Sequence, residues 1–225
     1  MKDNFIHVCF IIDESGSMYT SKQDVIGGFK RVIEEQRNIK EGKCAISLYT
    51  FNHKIKEVFL FKEIESVEEN LVYEPEGGTA LYDAVSIAID NIGKKLSDMD
   101  ESERPSKNLI VIMTDGEENF SKEHTLQDVK NRIKEQTDKY SWDFMYLGSD
   151  LTNCKDATDM GITRMSFSSK NDMKENYKMI SSGVRTYRLS ENAIEAAATM
   201  DCYFNEACEN MTTKYETETG IKISK

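Results

Sequence analysis

The chain lacks any apolar run long enough to cross a membrane, any close cysteine pair, any excess of basic residues and any phosphate-binding loop, and each absence removes a class of function. The apolar stretch Phe5–Ile12 lies behind Met1-Lys2-Asp3-Asn4, is too short for a signal-peptide core with its cleavage site, and stops at Asp13, so no secretory leader is expected. Cys9, Cys44, Cys154, Cys202 and Cys208 are odd in number, widely spread and without a CxxC pair, which suits reduced thiols in the cytoplasm better than a disulfide framework or a thiolate metal site. With 29 Lys+Arg against 40 Asp+Glu, the formal charge of −11 opposes attraction to nucleic acid or to an anionic membrane surface. The acid excess reads as solvated surface. GxxxxGK[ST] is missing, the first strand is not followed by a D-x-D pair, and no histidine falls within a motif, so the usual equipment for phosphoryl transfer or hydrolysis is not there. The chain also shows no internal repeat and no low-complexity tract.

What is present is a globular balance, 39% hydrophobic and 31% charged over 225 residues, enough for one α/β domain with an extension. FIHVCFII reads as a buried strand that ends in the polar loop DESGSM, and Val25, Ile26, Phe29, Val32 and Ile33 then predict a helix over about residues 21–38. CAISLYTF and IKEVFLF flank Asn52-His53-Lys54 and predict an antiparallel hairpin. After the loop Glu74–Thr79, a second helix carries Leu81, Ala84, Val85, Ala88, Ile89 and Ile92. Residues 97–106 read as a surface connection to the strand LIVIMT at 109–114, which again stops at an acidic loop, Asp115-Gly116-Glu117-Glu118-Asn119. Further strands are expected at 142–148 and 162–167, with helices over 124–138, 150–160 and about 170–188, and a last helix bearing Ile194, Ala197 and Ala198. Residues 211–225 read as a frayed tail. The pattern predicts a doubly wound, mostly parallel sheet with one antiparallel edge strand and helices on both faces. The domain is expected over residues 1–190, with 191–225 as a helical extension and tail.

Sheets of this kind open their ligand crevice at the carboxyl ends of the strands. Asp13, Ser15 and Ser17 follow the first strand at alternate positions, so three side-chain oxygens can point to one locus, with Gly16 permitting the tight path between the serines. Asp115, at the end of LIVIMT, is expected beside Asp13, and Thr79 can add a hydroxyl from its own loop. Two carboxylates and three hydroxyls suit a hard cation, Mg²⁺ first, with Mn²⁺ or Ca²⁺ as substitutes. The two carboxylates only balance a divalent charge, which leaves the ion able to accept an external carboxylate from a protein partner.

FIHVCFIIDESGSM, GGTALYDAV at 77–85 and IVIMTDGEEN at 110–119 together resemble the von Willebrand factor A (VWA) family over about residues 5–190. The resemblance implies a complete metal-ion-dependent adhesion site made by Asp13, Ser15, Ser17, Thr79 and Asp115, the hydroxyls as direct ligands and the aspartates acting through water. It implies a non-enzymatic protein-binding module of the compact, stand-alone kind found in bacteria and phages. It also suggests that binding shifts the helix at about residues 170–188, signalling to residues 190–225.

Other readings compete with this one. Asp13, Ser15 and Asp115 are also residue types that cap helices. Glu14, Glu117 and Glu118 either tune the ion or face solvent. The domain could instead be an assembly component that docks through its C-terminal helices, or a Mg²⁺-dependent phosphoryl-transfer or hydrolytic enzyme. His7, His53 and His124 read as structural or solvated, Cys9 as inert core, and Tyr140, Trp142, Phe144 and Tyr146 as strand alternation rather than a base-stacking platform.

Overall fold

A computed structural model describes residues 2–148, 151–167, 173–202, 204–205 and 217. Six strands form one sheet in the order β3-β2-β1-β4-β5-β6: β1 (Lys2–Asp13), β2 (Lys43–Phe51), β3 (Ile55–Glu63), β4 (Pro105–Met113), β5 (Asp143–Gly148) and β6 (Arg164–Phe167). All neighbours are parallel except β2 and β3, which form the expected antiparallel hairpin at one edge. β1 is central, paired with β2 from Phe5↔Lys43 to Asp13↔Phe51 and with β4 through Ile12↔Met113.

Alternation along β1 sets the two cores, because successive side chains leave opposite faces of a strand. Ile6, Val8, Phe10 and Ile12 pack with α1 (Lys22–Arg37) and α5 (Met173–Leu189). Cys9 and Ile11 pack with α2 (Leu81–Ser97), α3 (Leu126–Tyr140) and α4 (Leu151–Met160). The doubly wound reading therefore holds, with helices on both faces.

Two expectations need correction. The strand expected from residue 109 begins at Pro105, and polar Lys107 and Asn108 are buried within it. Lys107 is accommodated because its Nζ donates to the carbonyls of Tyr187 at 2.5 Å and Ser190 at 2.6 Å, so a charge-bearing residue serves as the C-terminal cap of α5. The last helix, residues 193–202, does not bury Ile194 and Ala198; Ile194 is 84% exposed, and the buried side is Ala196 and Met200, continued by Phe204. That side faces Gly183 of α5, where a Cβ would meet Met200 Sδ at 3.5 Å and Phe204 Cε2 at 3.6 Å. The expectation for residues 211–225 falls outside the described residues, apart from residue 217.

Helices α1 and α5 are locked at both levels of their contact. Arg188 caps α1 by donating to Gln36 O at 2.5 Å and to Glu41 O at 3.2 Å. At Gly28 the Tyr177 ring lies so close that a Cβ would sit 2.1 Å from its Cδ2. Gly28→Ala should therefore cost about 1–3 kcal/mol through overpacking, seen as a lower urea midpoint at unchanged m-value. Combined with Tyr177→Ala, it should cost less than the sum of the two, and strict additivity would mean the ring moves aside freely.

His7, in the second core, shares a hydrogen bond with Ser47 Oγ at 2.7 Å and stacks on Phe61 with ring centroids 3.9 Å apart. Burial drives its pKa from the ordinary 6.5 down to about 3, against a smaller opposing pull from the Asn108 side chain. The unfolded chain thus takes up a proton that the native state refuses. Stability is complete above pH 6.5 and is lost as the pH falls towards about 3. Between pH 6 and 4 the loss attributable to this group should approach ~1.4 kcal/mol per pH unit. His7→Gln should flatten that part of the urea-stability profile, and an unchanged slope would refute the assignment.

Candidate metal centre

Asp13 ends the central strand and is wholly buried. Its two carboxylate oxygens have different partners: Oδ1 accepts from the Ser15 backbone N–H at 2.7 Å and Oδ2 from the Thr114 hydroxyl at 2.6 Å. Its carbonyl accepts from the Tyr73 hydroxyl, and the next residue, Glu14, donates its N–H to Phe51 O at 2.6 Å. The loops after β1 and β4 therefore fix the carboxylate, while Tyr73 and the end of β2 hold the backbone beside it. Beyond it the chain turns into a short 3₁₀ helix, Gly16–Ser21. Ser15 Oγ and Ser17 Oγ lie 3.0 Å apart, and Ser17 Oγ donates to Asp115 Oδ1 at 2.5 Å, so the loops after β1 and β4 are joined through their polar side chains.

Thr79 arrives on a loop pinned from three sides. Gly16 N–H donates to Gly77 O at 3.1 Å, Ala80 N–H to Asn52 O at 2.9 Å, and Thr79 N–H to Asn119 Oδ1 at 2.9 Å. Gly77 has a positive φ of 72°, and a Cβ there would strike the His53 ring, so glycine is required on both counts.

Gly116 locates the point on which the oxygens converge. A Cβ built on it would lie 2.9 Å from Thr79 Oγ1, 3.4 Å from Ser17 Oγ and 3.5 Å from Asp13 Oδ2. Oxygens from two loops thus face one small space beside Gly116 of a third loop, kept open by the absence of a side chain there. Buried Asp13, Ser15, Thr79 and Asp115 contribute to a donor set made only of carboxylates and hydroxyls, which fits a hard divalent cation rather than a soft one. Burial pushes the Asp13 carboxyl up to about 6; the bonds from Thr114 and Ser15 oppose this, and the nearby Asp115 charge adds to it. A pair of carboxylates crowded in this way is an arrangement that a cation relieves.

The capping alternative does not fit the geometry. Ser15 makes no side-chain cap bond to the 3₁₀ helix, Ser21 makes none to α1, and α3 is capped by Thr125 in a capping box with Asp128, far from Asp115 in sequence. Glu118 is half-buried and its carboxylate is engaged by its own loop and by α2. It accepts from Tyr82 N–H at 2.9 Å, Phe120 N–H at 2.8 Å and both Ser121 donors at 2.7 Å, stapling its loop to the start of α2. Asp83 anchors the same loop by accepting from Lys122 and His124 backbone N–H groups at 2.8 and 2.7 Å. Burial raises the Asp83 pKa, but these bonds outweigh it and leave the carboxyl below its ordinary value. Of the supporting residues, Tyr73 has no sequence signal; Thr114, Glu118 and Asn119 lie within the acidic-loop motif after β4, but their supporting roles are not legible in it.

A doubly wound, mostly parallel sheet with a cluster of side-chain oxygens at the carboxyl ends of its central strands defines an α/β domain of the Rossmann-like class. The sequence matches the von Willebrand factor type A domain over residues 7–200, and the chain belongs to that family. Such domains are typically non-enzymatic, metal-dependent protein-interaction modules that hold a divalent ion at the adhesion site. Human cochlin is 28% identical over 119 residues, a stretch covering 51% of this chain and 21% of cochlin, so the chain spans about a fifth of that relative. Among solved structures, the mussel byssus proximal thread matrix protein 1 with a zinc-occupied adhesion-site motif superposes with TM-score 0.59 at 14% identity, covering 80% of this chain and 48% of that one. The corresponding domain of the type V pilus tip protein Mfa5 from Porphyromonas gingivalis gives 0.56 at 11% identity, with 82% and 96% covered. A von Willebrand factor type A protein from Catenulispora acidiphila gives 0.57 at 15% identity, with 81% and 42% covered. Among the described residues no helix is long and apolar enough to cross a membrane.

Because its methyl group would enter the space shared by Thr79, Ser17 and Asp13, Gly116→Ala should abolish divalent-cation binding by calorimetry while leaving the circular dichroism spectrum and urea midpoint near those of the parent. Retained tight binding would show that the ion does not sit there.

Proposed function

We propose that Asp13, Ser15, Ser17, Thr79 and Asp115 form a complete metal-ion-dependent adhesion site for Mg²⁺, with Mn²⁺ or Ca²⁺ able to replace it, and that a protein partner completes the shell with an Asp or Glu carboxylate. The observation that carries this reading is the convergence of Asp13, Ser17 and Thr79 oxygens, from two loops, on the space beside Gly116 of a third loop, with Ser17 bonded to Asp115 of that same third loop. The hydroxyls would be direct ligands, with the two aspartates acting through water. The bound ion supplies an electrophilic position that two carboxylates neutralise but do not saturate. The protein's own residues do the rest: Thr114 and Ser15 orient Asp13, Asn119 orients Thr79, and Ser17 links the two loops. On this reading the chain is a cytoplasmic binding module of the stand-alone bacterial or phage type. Residues 1–190 form the domain and 191–225 an extension, with neither nucleic acid nor membrane as partner.

A second reading, docking through the C-terminal helices, draws on exposed Ile194 beside a cavity lined by Phe144, Ile162 and Ala197 at the opposite end of the sheet. Calorimetric titration of the stripped protein with Mg²⁺ and Mn²⁺ separates the two. The parent should bind one ion, and folded Asp13→Ala and Ser15→Ala variants none. A folded parent that binds neither ion would move the function to the helical end.

A further inference from the structure

The surface around the proposed site is both apolar and acidic, two properties that constrain what can approach it. Tyr19, on the 3₁₀ helix that follows Ser17, is 72% exposed, and Val72, next to the Tyr73 that holds Asp13, is 73% exposed. Phe120, beside the Asn119 that holds Thr79, is also exposed. Large exposed apolar side chains on segments adjoining the loops that carry the proposed ligands are the kind of surface that a protein partner covers.

The charges on the same face are mostly negative. Glu14 adjoins Asp13, exposed Glu76 donates its N–H to Glu14 O at 2.9 Å, and exposed Glu117 stands two residues past Asp115. On the α4 side, burial together with the charges of Glu117, Asp159 and Glu118 raises the Asp156 carboxyl to about 6, a measure of how crowded this rim is with acid. Two of the cations here stand against acids: Lys22 is 2.6 Å from Glu74, and Lys155 offsets Asp156.

We infer that the partner segment presents a single acidic residue flanked by lysine or arginine. This rests on the metal-bridged reading above and deepens it. A carboxylate can reach the ion only across a rim that repels it, and flanking cations turn that repulsion into attraction. A polyacidic segment would meet the same rim with every flanking charge opposed. The recognition is thereby two-signed, with negative charge accepted at the centre and positive charge at the edge.

The test uses the full chain with Mn²⁺ and three synthetic peptides of equal length, measured by fluorescence anisotropy. One has Asp between lysines, one Asp between glutamates, and one Asn between lysines. The lysine-flanked Asp peptide should bind roughly ten-fold tighter than the glutamate-flanked one at low salt, and the gap should narrow as salt screens the rim. The double charge reversal Glu76→Lys with Glu117→Lys, checked for retained Mn²⁺ binding, should invert that order. If both Asp peptides bind equally, or the reversal changes nothing, the inference is overturned while the metal-bridged reading stands. If the Asn peptide binds as well as its Asp counterpart, or neither Asp peptide binds, the metal-bridged reading fails and the inference falls with it.

Discussion

The fully buried carboxylate of Asp13 at the end of the central strand is the constraint around which the loops are organised. Leaving such a group without partners would cost several kcal/mol, so each neighbouring loop gives up a donor to it. Ser15 offers a backbone N–H, Thr114 a hydroxyl, and Tyr73 holds the carbonyl of the same residue. Once Asp13 is fixed, Ser17 reaches Asp115, and the loop carrying Thr79 is fastened to Gly16, Asn52 and Asn119. The result is a group of side-chain oxygens held near one another by hydrogen bonds within the protein.

The layered fold was legible in the sequence because its strands are continuous apolar runs and its helices keep a strict apolar stripe. The oxygen set was legible for a similarly local reason, since alternate residues after a strand share a direction and the Asp115 loop repeats the pattern on the adjacent strand. What could not be read depends on partners distant in the chain. Tyr73 and Asn119 act on residues 60 and 40 positions away. Lys107 and Asn108 fall between the expected connection and the expected strand, because the partners of Lys107 are supplied by the end of α5. The buried side of the last helix, Ala196 and Met200, is chosen by Gly183 on a neighbouring helix and not by its own hydrophobic pattern.

The ends of α1 and α5 bear on how far the domain can change shape. Lys107 closes the C-terminus of α5 from the sheet, while Arg188 at the end of α5 closes the C-terminus of α1. Near the other end, the Tyr177 ring occupies the gap left by Gly28. An axial shift of α5, of the kind the family resemblance suggests, would have to break the charged caps and drag that ring past a helix backbone. The helix is held as part of the core rather than resting on it.

The position of Asp13 also has a mechanical side. β1 is the one strand whose loop supplies three of the five oxygens, and it runs between two parallel neighbours along almost its whole length. A pull applied at Asp13 along the strand axis loads the hydrogen bonds to β2 and β4 together, in shear, instead of peeling them one after another as would happen at the β3 edge. Tension arriving at that end of the molecule is shared across the middle of the sheet, where the chain is hardest to draw out.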